Sequence, residues 1–292
     1  MRPFKDYFIE SYWDIAYRKS SNTLLEEKAF SNFKCLRANK RYWYADPMLI
    51  EKDDKIFLFV EVFDNKTGLG CIGYSVLQND VFTTPKIIIR ESFHMSYPYV
   101  FEINGQIYMM PETSGDRCIQ LYKSVDFPEK WEKCRVIANI NNAVDSVLLY
   151  DKYIVTSLLI DNFNKTTKLA IIDFKTGLTL NDDFEESQQT RGAGRIFNIN
   201  GHLIRPAQDC SGGIYGKGLV FYEIIDDGAN YIENEYFRFL PSNILGQKVA
   251  GVHTYATLNG YEVIDCNRKK FNPFIIYYSL FHKLKSVLQK LK

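Results

Sequence analysis

Residues 46–61 read DPMLIEKDDKIFLFVE, and residues 97–112 read YPYVFEINGQIYMMPE. Each stretch has Pro in second place, an apolar run, a short polar turn, a second apolar run and a final Glu. Two apolar runs joined by a tight polar turn predict a β-hairpin. Asn104-Gly105 strengthens the reading, because a type I′ turn needs positive φ at both central residues. The pattern returns at VDSVLLYDKYIVTSLL (144–159), GRIFNINGHLIRPAQD (194–209) and VHTYATLNGYEVIDC (252–266). Further strand-like segments lie between the hairpins: GCIGYSVL, PKIIIRE, CIQLYKSV, KLAIIDF and KGLVFYEII. Five units of about four antiparallel strands, repeating every fifty residues or so, predict an all-β fold, a five-bladed β-propeller. A β-sandwich would not need five similar hairpins.

The propeller is expected over residues 1–268, with roughly the first thirty supplying a cap or a closing strand. Residues 269–292 change character. In PFIIYYSLFHKLKSVLQKLK (273–292), Tyr277, Leu280, Phe281, Leu284, Val287, Leu288 and Leu291 follow a helical spacing flanked by Lys283, Lys285, Lys290 and Lys292. This predicts a C-terminal amphipathic α-helix suited to an anionic membrane surface. Packing on the propeller or in a dimer is the other use of such a stripe.

Composition narrows the function. The chain has 292 residues, 46% of them hydrophobic, with 20 Tyr, 21 Phe and a formal net charge of +1. The aromatics favour half-buried strands, and the charge gives no electrostatic case for nucleic acid. The six Cys form no CxxC pair and no His stands at a metal-ligand spacing from them, so reduced thiols, no metal and a cytosolic setting are expected. The N-terminus reads as neither signal peptide nor membrane span. No Gly-rich nucleotide loop and no DxD pair is present, and no cofactor is expected.

In a propeller the first strand of each blade lines the central channel, so equivalent positions converge on one mouth. In hairpin register those positions are Asp46, Tyr97, Asp145, the 192–195 stretch with Arg195, and His253. The ends of the paired strands add Glu61, Glu112, Gln208, Asp209 and Asp265, and the connecting stretches add His94, Arg191, Arg205 and Tyr215. The proline after Asp46 predicts extended backbone there. Each residue has a structural use as well: strand-end charge, turn former or blade staple. Together, carboxylates with Arg and His around a pocket suit sugar chemistry, in which one carboxyl acts as base or nucleophile and another as acid.

The stretches WYADPMLIEKDDKIFLFVE, FHMSYPYVFEINGQIYMMPET, LYKSVDFPEKW and GVHTY, with RPAQD…YG, resemble the N-terminal propeller domain of plant glucosamine inositolphosphorylceramide transferase and its stand-alone bacterial relatives, which occur with surface-polysaccharide genes. The resemblance covers residues 40–268. More distantly, the ADP start is similar to the five-bladed propellers of glycoside hydrolase families 43, 32 and 130. That wider likeness implies that Asp46 is a base or nucleophile and that Asp145 orients the sugar or tunes a partner. The family's general-acid Glu has no equivalent here, where RPAQD offers Gln208 and Asp209, and Glu112 stands in another blade.

The expectation is therefore a glycosyltransferase of bacterial capsule or lipopolysaccharide synthesis, peripheral to the inner face of the cell membrane. Its partners would be an activated sugar donor and a glycan or lipid-linked acceptor. Asp46, Glu112 and Asp145 would be catalytic, and Arg191, Arg195, Arg205 and His253 would hold the donor phosphate. A glycoside hydrolase or phosphorylase and a non-catalytic carbohydrate-binding propeller are the alternatives.

Overall fold

The computed structural model describes residues 8–19, 32–226, 231–241, 243–244 and 247–272. Five of their sheets are arranged as the blades of a propeller, and Asn243–Ile244 pairs with Gln247–Lys248 in a separate two-stranded ribbon. Blade I comprises Tyr42–Lys52, Lys55–Asp64, Leu69–Gln78 and Lys86–Ile89, with the short Val81–Phe82 strand at its margin. Blade II runs through Ser96–Ile103, Gln106–Glu112, Ile119–Asp126 and Lys130–Ala138, and blade III through Ala143–Leu149, Tyr153–Asp161, Thr166–Asp173 and Thr179–Asn181. Blade IV contains Phe197–Ile199, His202–Asp209, Gly218–Asp226 and Tyr231–Phe239.

Blade V is built from both ends of the described chain. Tyr255–Leu258 and Tyr261–Phe271 form its inner half, and Ile9–Lys19 and Lys34–Leu36 its outer half. Ile9–Lys19 pairs along its whole length with Tyr261–Phe271. The N-terminal segment is thus the closing strand, and ring closure removes the exposed edge an open array would carry. The strand continues through Lys269 and Lys270 to Phe271, so these residues belong to the blade and the propeller extends past residue 268. The predicted helix over 273–292 lies outside the described residues.

Every blade opens with a hairpin whose two turn residues both have positive φ: Asp53-Asp54, Asn104-Gly105, Tyr150-Asp151, Asn200-Gly201 and Asn259-Gly260. The three Asn-Gly turns follow the sequence expectation, and the other two reach the same geometry without glycine. Aromatic pairs seal all five blade junctions. Phe57 meets Phe127 at 4.8 Å, Phe101 meets Phe174 at 6.0 Å and Phe184 meets Tyr231 at 5.9 Å. Phe221 meets Tyr255 at 5.3 Å, and Tyr17 meets Phe82 at 5.0 Å. These rings account for part of the high aromatic content, since wedge-shaped gaps between twisted sheets suit large flat side chains.

Candidate active site

The mouth of the channel is shaped by a repeated departure from regular strand geometry. The first strands of blades I, II and III each carry a register shift, after Ala45, Ser96 and Val144. At these irregularities Asp46, Tyr97 and Asp145 have φ of 52°, 47° and 52°. Left-handed backbone at a non-glycine residue costs roughly 1–2 kcal/mol, and for a bulky residue such as Tyr97 it is an outlier. The expectation of extended backbone at Asp46 is therefore corrected. Compensating hydrogen bonds link successive blades: Asp46 N donates to Asp265 Oδ2 at 3.1 Å, and Tyr97 N donates to Asp46 Oδ2 at 3.1 Å. Blade V grips blade I, and blade I grips blade II.

Around this chain lies a buried cluster. Asp265 Oδ1 accepts the amides of His253 and Thr254 at 2.9 and 3.0 Å, and Asp265 Oδ2 contacts His253 Nδ1. Thr254 Oγ1 donates to Asp46 Oδ1 at 3.0 Å, and His253 Nε2 stands 3.7 Å from the same oxygen. The imidazole is stacked on Trp13, with centroids 3.9 Å apart and planes 13° from parallel. Asp46, His253 and Asp265 bring possible metal-ligating atoms within 4.8 Å of one another. Both Asp265 oxygens, however, already face N–H groups, and the Asp46 carboxylate already accepts the Tyr97 amide and the Thr254 hydroxyl. The trio is thus a hydrogen-bonded staple.

The facing wall comes from blades II, III and IV. Arg191 Nε donates to Asp145 Oδ2 at 2.6 Å and its Nη2 to Glu112 Oε2 at 3.3 Å. Gln208 Nε2 donates to Asp145 Oδ2 at 3.3 Å and to Gly192 O at 3.0 Å. Tyr215 roofs this wall: its ring centre is 5.0 Å from the Arg191 guanidinium and 5.2 Å from the His253 ring. Tyr97 reaches across the channel, its hydroxyl accepting from Gly194 N at 2.7 Å and donating to Gly194 O at 3.1 Å. At the rim His94, half-exposed, stands 3.4 Å from buried Glu61.

The mouth thus unites Asp46, Glu61, His94, Tyr97, Glu112, Asp145, Arg191, Gln208, Tyr215, His253 and Asp265. Three expected residues lie elsewhere. Arg205 is 1% exposed and forms a bidentate pair with Glu233 in the wall of blade IV, because its strand position alternates away from the channel. Asp209 accepts from Arg238 Nη1 at 2.9 Å and from Ser211 N at 2.9 Å, which makes it a loop anchor. Arg195 packs over Tyr99 and donates to Val100 O. Of the three arginines expected to bind phosphate, Arg191 alone stands among the carboxyl groups. Trp13 escaped the sequence reading, since it lies before the first hairpin and reaches the mouth only through ring closure.

Burial governs the acid–base state. It pushes Asp46 up, against the pull of His253. It pushes Asp145 up to about 7, with the Arg191 guanidinium opposing and Glu112 assisting. Glu61 goes well above the usual carboxylate range through burial, reinforced by Asp46, Glu112, Asp265 and Asp145. For His253 burial works against the charged form, yet the adjoining Asp265 outweighs it and the net direction is up. Several carboxyls with raised affinity for protons in one recess are equipment for proton transfer.

The family model described as glucosamine inositolphosphorylceramide transferase 1, N-terminal, matches residues 35–237. The chain belongs to this family. The match holds Asp46, Glu61, Glu112, Asp145 and Arg191, while Trp13, His253 and Asp265 come from blade V outside it. Among similar proteins is glucosamine inositolphosphorylceramide transferase 1 of Oryza sativa subsp. indica, 30% identical over 215 residues. The protein of that name from Arabidopsis thaliana is 32% identical over 189 residues, which is 60% of this chain and 24% of the relative. The Oryza alignment covers 68% of this chain and only 28% of the relative. Among solved structures, an exo-1,5-alpha-L-arabinanase from a bovine ruminal metagenomic library superposes with a TM-score of 0.51 at 13% identity, covering 80% of this chain and 95% of that one. The catalytic domain of a Coprinopsis cinerea GH62 alpha-L-arabinofuranosidase gives 0.54 at 11%, covering 82% and 83%. These likenesses show the fold.

Proposed function

We propose that this chain is a glycosyl-transferring enzyme of bacterial surface-polysaccharide assembly, acting on a sugar bound in the propeller mouth. The observation that supports this most is the buried Asp46 carboxylate, fixed by Tyr97 N and Thr254 Oγ1 and adjoined by His253. Asp46 would take the proton of an acceptor hydroxyl as that oxygen attacks the anomeric carbon. Asp145 and Glu112, bridged by Arg191, would hold the hydroxyls of the transferred sugar. The names of the plant relatives support a transferase reading, although this chain corresponds to only their N-terminal part. In the same proposal, the lysine-bordered segment 273–292 brings the enzyme to the cytoplasmic face of an anionic membrane and its lipid-linked acceptor.

The charge balance bears on the donor. Arg191 is already shared between two carboxylates and Arg205 is committed to Glu233, so the mouth suits a donor whose leaving oxygen departs protonated better than a nucleoside diphosphate. The same observation favours a second reading, hydrolysis, in which water takes the acceptor's place. The test is to incubate the protein with aryl glycosides and oligosaccharides, with and without sugar acceptors, and to weigh the products by mass spectrometry. A transferred sugar, absent with Asp46→Asn, is the expected result. Release of free sugar alone selects hydrolysis. Saturable oligosaccharide binding without turnover replaces both readings with a carbohydrate-binding module.

A further inference from the structure

Four of the five carboxyl groups at the mouth are tied to protein donors. Asp46 accepts from Tyr97 N and Thr254 Oγ1. Asp265 accepts the amides of Asp46, His253 and Thr254. Asp145 accepts from Arg191 and Gln208. Glu112 accepts from Ser114 Oγ at 2.8 Å and from Arg191. Glu61 differs: it is 4% exposed, and its Oε1 is sealed from solvent with no hydrogen-bond partner among the described residues. His94 Nε2 stands 3.4 Å from that oxygen.

A buried carboxylate with no donors, surrounded by other carboxylates, is strongly disfavoured, whereas the neutral acid is not. His94 does not alter this. Its Nδ1 accepts from Gly70 N at 2.9 Å, so the neutral ring carries its proton on Nε2, towards Glu61. Burial, with Arg191 assisting, holds that ring below its ordinary pKa despite Asp46, so it offers a weak polar contact and no counter-charge. Gly70 makes room for both groups, since a Cβ there would lie 2.4 Å from Glu61 Oε1 and 2.8 Å from His94 Cε1. Glu61 is the cross-strand partner of Ala45, the residue before Asp46. The first hairpin thus sets Glu61 and Asp46 side by side from adjacent strands.

We infer that Glu61, rather than Glu112, is the proton donor of the mouth, and that His94 is its positioning residue. The inference rests on the glycosyl-transfer reading. As the bond from the anomeric carbon to the leaving oxygen breaks, the Glu61 proton passes to that oxygen and leaves a carboxylate. As the acceptor oxygen bonds to the same carbon, its proton passes to Asp46. Asp46 then loses a proton to water and Glu61 regains one, so the sum is the exchange of one alcohol for another.

The test reads Glu61 directly. Protein labelled with carboxyl-¹³C glutamate is titrated by NMR, and Glu61→Gln identifies the resonance. The expected resonance titrates well above the usual glutamate range and moves higher still with His94→Ala, which removes the imidazole N–H beside it. Titration in the usual range overturns the proton donor, and an unchanged midpoint in His94→Ala overturns the positioning role. A kinetic comparison follows: Glu61→Gln should slow an alkyl glycoside donor at least about 100-fold and a glycosyl fluoride, which needs no proton, less than about tenfold. Equal slowing of both overturns the assignment. If the wild type turns over neither donor, the glycosyl-transfer reading has failed, and the titration still shows separately whether Glu61 holds its proton.

Discussion

The wall of blade IV and the mouth of the channel both bury charge, and they do so in opposite ways. In the wall, the Arg205 guanidinium meets Glu233 bidentately, donates to Thr190 O at 3.1 Å and lies over the Tyr222 ring at 5.4 Å. One cation meets one anion, and each guanidinium nitrogen has an acceptor. At the mouth, five carboxyl groups face one guanidinium and two imidazoles, of which that of His94 is held below its ordinary pKa. A matched pair in a dry wall is structural, and breaking it leaves an uncompensated ion. An excess of carboxyls in a recess holds protons that no matched cation replaces, and it is there that chemistry is expected.

The largest effect tests the mouth. Asp46→Asn should lower product formation about 10²–10⁴-fold, the range of a lost general base, while the thermal melting point moves only a few degrees because the amide oxygen still accepts one hydrogen bond. The wall should give the reverse signature. Arg205→Met strands Glu233 and should cost about 3–5 kcal/mol in denaturant unfolding, and the double variant Arg205→Met/Glu233→Leu should recover most of that loss. If Arg205→Met instead leaves stability intact and abolishes turnover, the division between wall and mouth is broken.

That division also marks how far the sequence could be read. The hairpin repeat, its Asn-Gly turns and the convergence of Asp46, Tyr97, Asp145 and His253 are legible because they depend on local turn chemistry and alternation, which a single chain displays. Gln208 and Arg205 are only three residues apart, yet one reaches Asp145 and the other turns into the wall. A pleat that alternates faces separates them, and only the register decides which face is which. Glu61 and Glu112 end equivalent strands and read alike. What distinguishes them is Arg191, distant in sequence, which neutralises one and leaves the other bare. The contact of Trp13 with His253 depends on ring closure and had no local signal. The left-handed turn at Asp46 contradicts the local bias of a pre-proline residue, because amide bonds to neighbouring blades hold it there.

A third, somewhat smaller effect follows from pH. Asp145 keeps its proton in the fold up to about 7, while the unfolded chain releases it near the ordinary aspartate value of 3.8. Between these values the folded state binds more protons, so stability falls as pH rises, by at most about 4 kcal/mol at 1.36 kcal/mol per unit. Asp46 and Glu61 act in the same direction. His253 adds to it above the ordinary histidine pKa, since a raised histidine loses its contribution as pH climbs through its folded value. Burial works to raise Asp64 and Asp209, but their arginine and amide partners together outweigh it, so both are lowered and act oppositely in acid. Urea unfolding should therefore give a higher midpoint at pH 5 than at pH 8, and Asp145→Asn should flatten the difference. A steeper slope in that variant would show that the mouth carboxyls are ionised and matched, like those of the wall.

The smallest effect concerns whether the mouth is dry. The Tyr97 hydroxyl is the contact that joins blade II to Gly194 across the channel, and it is set there by a φ of 47° that a tyrosine adopts only under constraint. Tyr97→Phe removes the acceptor of the Gly194 amide and should cost about 1–3 kcal/mol if that amide is left unsatisfied. Hydrogen exchange at Gly194 is the finer measure, because protection should fall there before it falls at Leu58 or Val220 in the blade interiors. A variant with unchanged stability and fast exchange at Gly194 would mean that water replaces the hydroxyl. The carboxyls beside it would then be hydrated as well, and the excess charge of the mouth would be screened rather than held for a ligand. Lower protection at Gly194 together with the full loss of stability would place the carboxyls in a recess that a sugar must itself desolvate, and there a single proton on Glu61 has its greatest leverage.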